Sequence, residues 1–298
     1  MKSWFQAARP KTLPAAVVPV LVGSVPVLWD GDPETGSWAL FRFTVFSCIW
    51  IQIATNLFND AIDHSKGADT EKRTGPKRVS ASGMLSPKLV MIGGFVCCGI
   101  AALFSIPLVM ERGPIILVIG LISLFLAYGY TGGPFPLAYR GMGEIFVILF
   151  FGLVAVQGAY FVQTGELGGK EIWTLGWQCG LYSSVLIAIN NLRDVDEDRE
   201  TGKRTLAVRF GKTFARWEIA AFCIVPAFLW AIHLDARDGK DLLYYLVVLT
   251  SFLFSGIICR GIFRNLPGAV LNGFLGLAAM QLVVFGLLVM WHFRTLSQ

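Results

Sequence analysis

The sequence predicts an all-α integral membrane protein, on three observations. Of 298 residues, 55% are hydrophobic and only 15% charged, against roughly 25% charged in ordinary soluble domains. The apolar residues fall in nine long runs, about 13–29, 38–58, 88–110, 114–131, 142–163, 172–192, 214–234, 242–263 and 269–292. A helix crosses a bilayer with about 20 residues, the range being roughly 17–25. The charged residues crowd instead into two loops of one design. Lipid offers no partner for backbone polar groups, so each span is expected to be a helix.

Taken in order, the N-terminal MKSWFQAARPKT is polar and basic and has no cleavable leader pattern. The first run carries Pro14, Pro19 and Pro26, which predicts a kinked or tilted helix. Placing the N-terminus in the cytoplasm and alternating sides puts 19 of the 25 Lys and Arg on the cytoplasmic face, as the positive-inside rule requires. The C-terminus then lies on the opposite side, and both charged loops face the cytoplasm. The expected location is a cell (inner) membrane, crossed many times. The basic excess of five sits in particular loops, which argues orientation and phosphate binding and not nucleic acid.

The first charged stretch, Asn56 to Arg78, packs four carboxylates and five cations behind the second run. The second, Asn190 to Arg209, follows the sixth. Shifted by 131 positions, Asn59 falls on Asn190, Asp63 on Asp194, Thr70 on Thr201, and Lys72-Arg73-Thr74 on Lys203-Arg204-Thr205. Six identities in sixteen ungapped positions make the chain a pseudo-tandem repeat of two four-helix units in parallel orientation. One membrane domain over 1–298 is expected, with half-repeats about 1–135 and 136–265 and an extra helix 266–298.

Asn56, Asp60 and Asp63 stand at i, i+4 and i+7 and share a helix face, as do Asn190, Asp194 and Asp198. Clustered carboxylates repel unless a cation sits among them. Hard carboxylate and amide oxygens suit Mg2+, which keeps waters and shares its shell with substrate phosphates. The flanking Lys66, Lys72, Arg73, Lys77 and Arg78, with Arg193, Lys203 and Arg204, are fitted to hold the outer oxygens of a diphosphate. A Gly/Pro-rich segment between the motifs brings Tyr130, Tyr139, Arg140 and Glu144 to the same face.

A diphosphate held at a membrane-embedded site points to a lipid substrate. Phe, Tyr and Trp make up 13% of the residues. A carbocation over such rings gains roughly 0.5–2 kcal/mol per ring, which suits ionisation of an allylic diphosphate followed by attack from an electron-rich aromatic.

At these residues the chain resembles the UbiA superfamily of intramembrane prenyltransferases, nearest its 1,4-dihydroxy-2-naphthoate polyprenyltransferase branch. The likeness runs through Arg9-Pro10-Lys11-Thr12-Leu13, Asn59-Asp60-x-x-Asp63 with Lys66-Gly67-x-Asp69, and Gly132-Gly133-Pro134 leading to Gly141-x-Gly143-Glu144. It continues through Asn190-Asn191-x-Arg193-Asp194-x-x-x-Asp198-Arg199 to Gly202-Lys203-x-Thr205-Leu206. The resemblance implies nine helices around a central cavity and two Mg2+ bridging the diphosphate. It implies that Asn56, Asp60, Asp63, Asp194 and Asp198 serve the metals, with Tyr130 near the reacting carbon. Asn59, Lys66, Asp69, Lys72, Arg73, Tyr139, Arg140, Asn190, Asn191, Arg193 and Lys203 are the expected substrate contacts. The implied reaction joins a polyprenyl chain to 1,4-dihydroxy-2-naphthoate with loss of CO2 and diphosphate, giving demethylmenaquinone. Ala61 stands where the family often has an aromatic residue, which leaves the acceptor pocket's shape open. Another aromatic acceptor, 4-hydroxybenzoate or homogentisate, is the alternative within the class. A polytopic transporter is the alternative outside it, disfavoured because no run carries a charged residue at its middle.

The six cysteines all lie in apolar runs without metal-ligand spacing, so they read as small apolar side chains.

Overall fold

The computed structural model describes residues 2–29, 36–68, 74–75, 78–235 and 242–296. The chain is predominantly helical over these, with no strand among the described residues. Its elements are α1 (Lys2–Ala8), α2 (Pro14–Leu28), α3 (Trp38–Ser65), α4 (Pro87–Arg112) and α5 (Pro114–Gly129), then α6 (Gly143–Val147) and α7 (Ala155–Thr164), joined by a π-helical segment at Ile148–Val154. They continue as α8 (Lys170–Arg193), α9 (Val195–Glu200), α10 (Leu206–Asp235), α11 (Leu242–Arg264) and α12 (Leu271–Leu296). This is a multi-pass membrane protein.

All nine apolar runs are helical, but nine full spans are not reached. Among the described residues seven helices are long and apolar enough to cross, or eight if Lys2–Thr12 and Pro14–Leu28, bent by 48°, count as one. The shortfall lies in α5, whose 16 residues span about 24 Å at ~1.5 Å each, short of the roughly 30 Å hydrocarbon core. α3 continues past the end of its apolar run at 58 to Ser65, so the first acidic motif rides on the helix, as its i, i+4, i+7 spacing predicts.

Why these helices pack as they do follows from their side chains. In α2, Val20, Val22 and Val25 have no exposed surface, and the helix is flanked by α7, α3 and α12. The outer helices turn apolar residues outward instead: Leu103, Met110 and Phe125 are 65%, 82% and 70% exposed. That is lipid-facing surface, where apolar exposure carries no cost. α3 packs chiefly on α4 and α8 on α10.

The π segment meets α8 through glycine. A Cβ on Gly152 would stand 2.5 Å from the Gly176 carbonyl oxygen, and one on Gly180 would stand 2.7 Å from the Ile148 oxygen. Membrane helices associate by such close backbone approach at small residues. The opposing atoms are backbone and cannot swing away. Gly180→Val is therefore expected to lower the thermal unfolding midpoint of detergent-solubilised protein, costing about 1–3 kcal/mol as an overpacked contact does. Gly99→Ala, where a Cβ meets nothing within 4 Å, should leave it unchanged or raised.

Candidate active site

The first motif is positioned by the C-terminus of α3. Gly67 takes φ +67°, and the Ala68 N–H bonds back to the Asp63 carbonyl at 2.9 Å while the Gly67 N–H reaches His64 at 3.0 Å. That pair of bonds is the Schellman stop, and it turns the chain away from the helix just beyond Asp63.

The motif's residues then divide by partner. Asn56, buried, donates to the Ala8 carbonyl and the Thr12 hydroxyl, both at 2.9 Å, tying the entry segment to α3. Asp60, 1% exposed, accepts the backbone N–H groups of Val79 at 3.1 Å and Ser80 at 2.9 Å. It anchors the chain returning from the first loop. Asn59 accepts from the Thr131 hydroxyl, and Lys66 donates to the Thr131 carbonyl at 2.7 Å. Burial holds the Lys66 ammonium below the usual lysine range.

Asp63 is engaged by three side chains. It takes Arg78 at 2.5 Å, the Tyr139 hydroxyl at 2.7 Å and Lys203 at 3.4 Å. The same Lys203 ammonium lies 3.9 Å from Asp198. Carboxylates of the two motifs, 135 residues apart in sequence, are thus brought together on one cation. The Tyr139 ring is flanked by both lysines, Lys66 at 4.2 Å and Lys203 at 5.1 Å from its centroid.

The second motif departs from the single helical face expected of it. The helix breaks at Asp194 (φ −98°, ψ 10°), and Asp198 sits on the short α9. The break coincides with a cluster of contacts. Arg193 grips both Asp194 oxygens, at 2.7 and 2.5 Å, and Thr74 from the first loop donates to one of them at 3.0 Å. Arg193 also donates to Asn272 at 2.8 Å, and Asn272 returns a bond to the Thr74 carbonyl at 3.1 Å. Asn190 lends its carbonyl to the Asp194 amide at 3.0 Å. Asn191 turns to Glu144, 1% exposed, at 2.6 Å. Arg140 is exposed and lies over the Phe135 ring, 4.1 Å from its centroid. Asp69, Lys72, Arg73 and Lys77 lie outside the described residues.

Beneath the motifs is a cavity of about 280 Å3. Gln52, Asn56 and Asn59 line it from α3, and Tyr130, Phe146 and Phe150 from the facing side. The three rings form a run, with centroids 5.3 Å apart for Tyr130–Phe146 and 4.5 Å for Phe146–Phe150.

Thr74, Thr131 and Asn272 escaped sequence reasoning. Single neutral side chains in loops or at a helix start carry no pattern. The Thr74 alignment with Thr205 was the one available hint.

The UbiA prenyltransferase family matches residues 16–265, so the chain belongs to that family. It is similar to "1,4-dihydroxy-2-naphthoate octaprenyltransferase" of Bacillus subtilis, 34% identical over 246 residues, covering 83% of this chain and 78% of that one. The Escherichia coli protein of the same name is 34% identical over 72% of this chain and 70% of its own. The "2-carboxy-1,4-naphthoquinone phytyltransferase" of Synechocystis is 30% identical over 70% and 66%. Among solved structures, a UbiA homolog from Archaeoglobus fulgidus bound to DMAPP and Mg2+ shares the fold, with TM-score 0.66 at 15% identity over 97% of this chain and 99% of that one.

The local electrostatics generate a pH prediction. Burial pushes the Asp198 carboxyl up to about 7, with Asp194, Asp63 and Glu197 adding to the push and Lys203 opposing it. An unfolded Asp titrates near ~3.9. Between about pH 4 and 7 the folded chain keeps a proton the unfolded chain has lost, so this group's contribution to stability falls as pH rises. In EDTA, the thermal midpoint of Asp198→Asn should decline less between pH 5 and pH 8 than that of the parent; equal slopes would contradict the shift.

Proposed function

We propose that this chain is a Mg2+-dependent prenyltransferase that moves a polyprenyl group from its diphosphate to 1,4-dihydroxy-2-naphthoate, in menaquinone biosynthesis. The observation that carries this reading is the meeting of Asp63 and Asp198 on Lys203, beside an aromatic-lined cavity. Relatives named for this naphthoate reaction span most of the chain.

The donor set fits Mg2+. Among the described residues no three His, Cys, Asp or Glu side chains converge as a metal cage. Two facing carboxylates offer a partial shell of hard oxygens, which Mg2+ completes with water and substrate phosphate. Asp63 and Asp198 are the central ligands of this reading, with Asp194 at the edge, and two ions are its full complement. Asp60 and Asn56, committed to Val79, Ser80, Ala8 and Thr12, support the site from behind. When bound, the metal supplies charge neutralisation for a departing diphosphate.

The chain's own residues do the rest. Lys66, Arg78 and Lys203 surround the position of the outer phosphate oxygens and stabilise the charge that develops there. The allylic C–O bond breaks, and the Tyr130, Phe146 and Phe150 rings shield the carbon left electron-poor. The acceptor carbon bearing the carboxylate attacks it. CO2 then leaves, and its electron pair restores the aromatic ring, so electron balance makes the immediate product the quinol of demethylmenaquinone. The cavity's apolar walls hold the tail and keep water from the cation.

The same reading places the protein in the cell inner membrane with the N-terminus and the site facing the cytoplasm. It also takes the chain as half-repeats of about 1–135 and 136–265 plus a final helix; the corresponding packing of α3 on α4 in one half and of α8 on α10 in the other supports this.

Asp63→Asn and Asp198→Asn should each lower kcat by at least about 100-fold, the scale of losing a main electrostatic element, at normal expression. Full activity in either variant refutes the metal role. Purified protein given one polyprenyl diphosphate should prenylate 1,4-dihydroxy-2-naphthoate in preference to 4-hydroxybenzoate or homogentisate, with product mass as the readout, and EDTA should abolish the product.

A further inference from the structure

A second basic site lies across Tyr139 from the acidic pair. Arg140, Arg204 and Arg209 line one cleft, together with Tyr139, Met142 and Gly202. Its walls are fixed by the backbone. The Arg204 N–H donates to the Tyr139 carbonyl at 3.1 Å, and the Arg209 side chain donates to the Arg204 carbonyl at 3.0 Å. Gly141, at φ +70°, permits this closeness, since a Cβ there would stand 2.7 Å from the Arg204 oxygen.

Among the described residues, no carboxylate lies within ion-pair distance of any of the three guanidinium groups. This contrasts with Arg78 and Arg193, each of which holds an aspartate. Three like charges in one cleft repel, and an anion is the natural remedy. Guanidinium forks match phosphate oxygens in two-point contacts. The surroundings narrow the ligand further. Phe135 under the Arg140 guanidinium, Phe210 next to Arg209 in sequence, and Met142 in the cleft wall are 65%, 62% and 45% exposed. A small inorganic anion gains nothing from exposed apolar side chains, whereas a headgroup that continues into acyl chains does. The cleft also lies between the segment that follows α5 and the start of α10, at the polar ends of two apolar helices, where lipid phosphates are met.

We propose that the Arg140–Arg204–Arg209 cleft binds the phosphodiester headgroup of an acidic membrane phospholipid. Occupied, it clamps the segment carrying Tyr139 against the segment carrying Lys203, through the Arg204–Tyr139 backbone bond. The lipid is a bound component of the fold at this face, distinct from the prenyl donor, and it takes Arg140, which the family resemblance implied as a substrate contact.

The test uses full-length protein in phosphatidylcholine vesicles with a minor fraction of phosphatidylglycerol, in EDTA so that metal-dependent binding at the acidic pair is silent. Electron spin resonance of chain-labelled lipid reports how strongly each headgroup is retained. The parent should retain phosphatidylglycerol over phosphatidylcholine. Arg204→Gln/Arg209→Gln should reduce that preference by about 30-fold, the scale of removing two interfacial cations. Arg204→Lys/Arg209→Lys, which keeps charge but not the fork, should fall between. Arg209→Gln alone carries the comparison if the double variant does not fold. Equal preference in the parent and the folded Gln variants overturns the proposal. So does full displacement of the labelled lipid by inorganic diphosphate, which would assign the cleft to free phosphate.

Discussion

A carboxylate inside a low-dielectric region must be paired, because leaving one ionised and alone there costs several kcal/mol. Asp63, 3% exposed, meets that demand with three partners drawn from three parts of the chain: Arg78, Tyr139 and Lys203. Each partner lies on a separate connecting segment: Arg78 between α3 and α4, Tyr139 between α5 and α6, and Lys203 between α9 and α10. Satisfying one carboxylate therefore fixes where three loops sit, and Lys203 carries the constraint on to Asp198.

A second, neutral-assisted network closes the same face from the other side. Thr74, Asp194, Arg193 and Asn272 hold one another in a ring of hydrogen bonds. Through it the first loop is fastened to the second motif and to the start of α12. Gly75 packs directly on the guanidinium, where a Cβ would come within 2.7 Å. The ring explains why a final helix outside the repeat is part of the site's frame: its first turn supplies the Asn272 partner.

Within the membrane the constraint changes character. Apolar surface gains little from burial when lipid is the alternative, so close packing at small residues does the holding. Gly152, Gly176 and Gly180 let the π segment press on α8. That widened turn lies between Phe146 and the rest of its span and sets the register in which Phe146 and Phe150 face the cavity. Wide turns of this kind recur at functional sites.

The membrane class, the helical runs and the doubled acidic–basic motif were all legible in the sequence, because each is a property of composition or local spacing. Helical spacing even put Asp60 and Asp63 on a helix end. What spacing could not tell was which carboxylate meets the cations of other loops and which is spent on backbone amides. Asp60 and Asp63 look equivalent in the chain, yet one binds Val79 and Ser80 and the other meets Lys203. Nor could it show the break at Asp194, the shortness of α5 against a bilayer, or the pairing of Thr74 with Asn272. Those are decided by segments up to 198 residues apart meeting in space. Residue type and period determine what each helix is, and only the packing of helices on one another determines which charges end up sharing a partner.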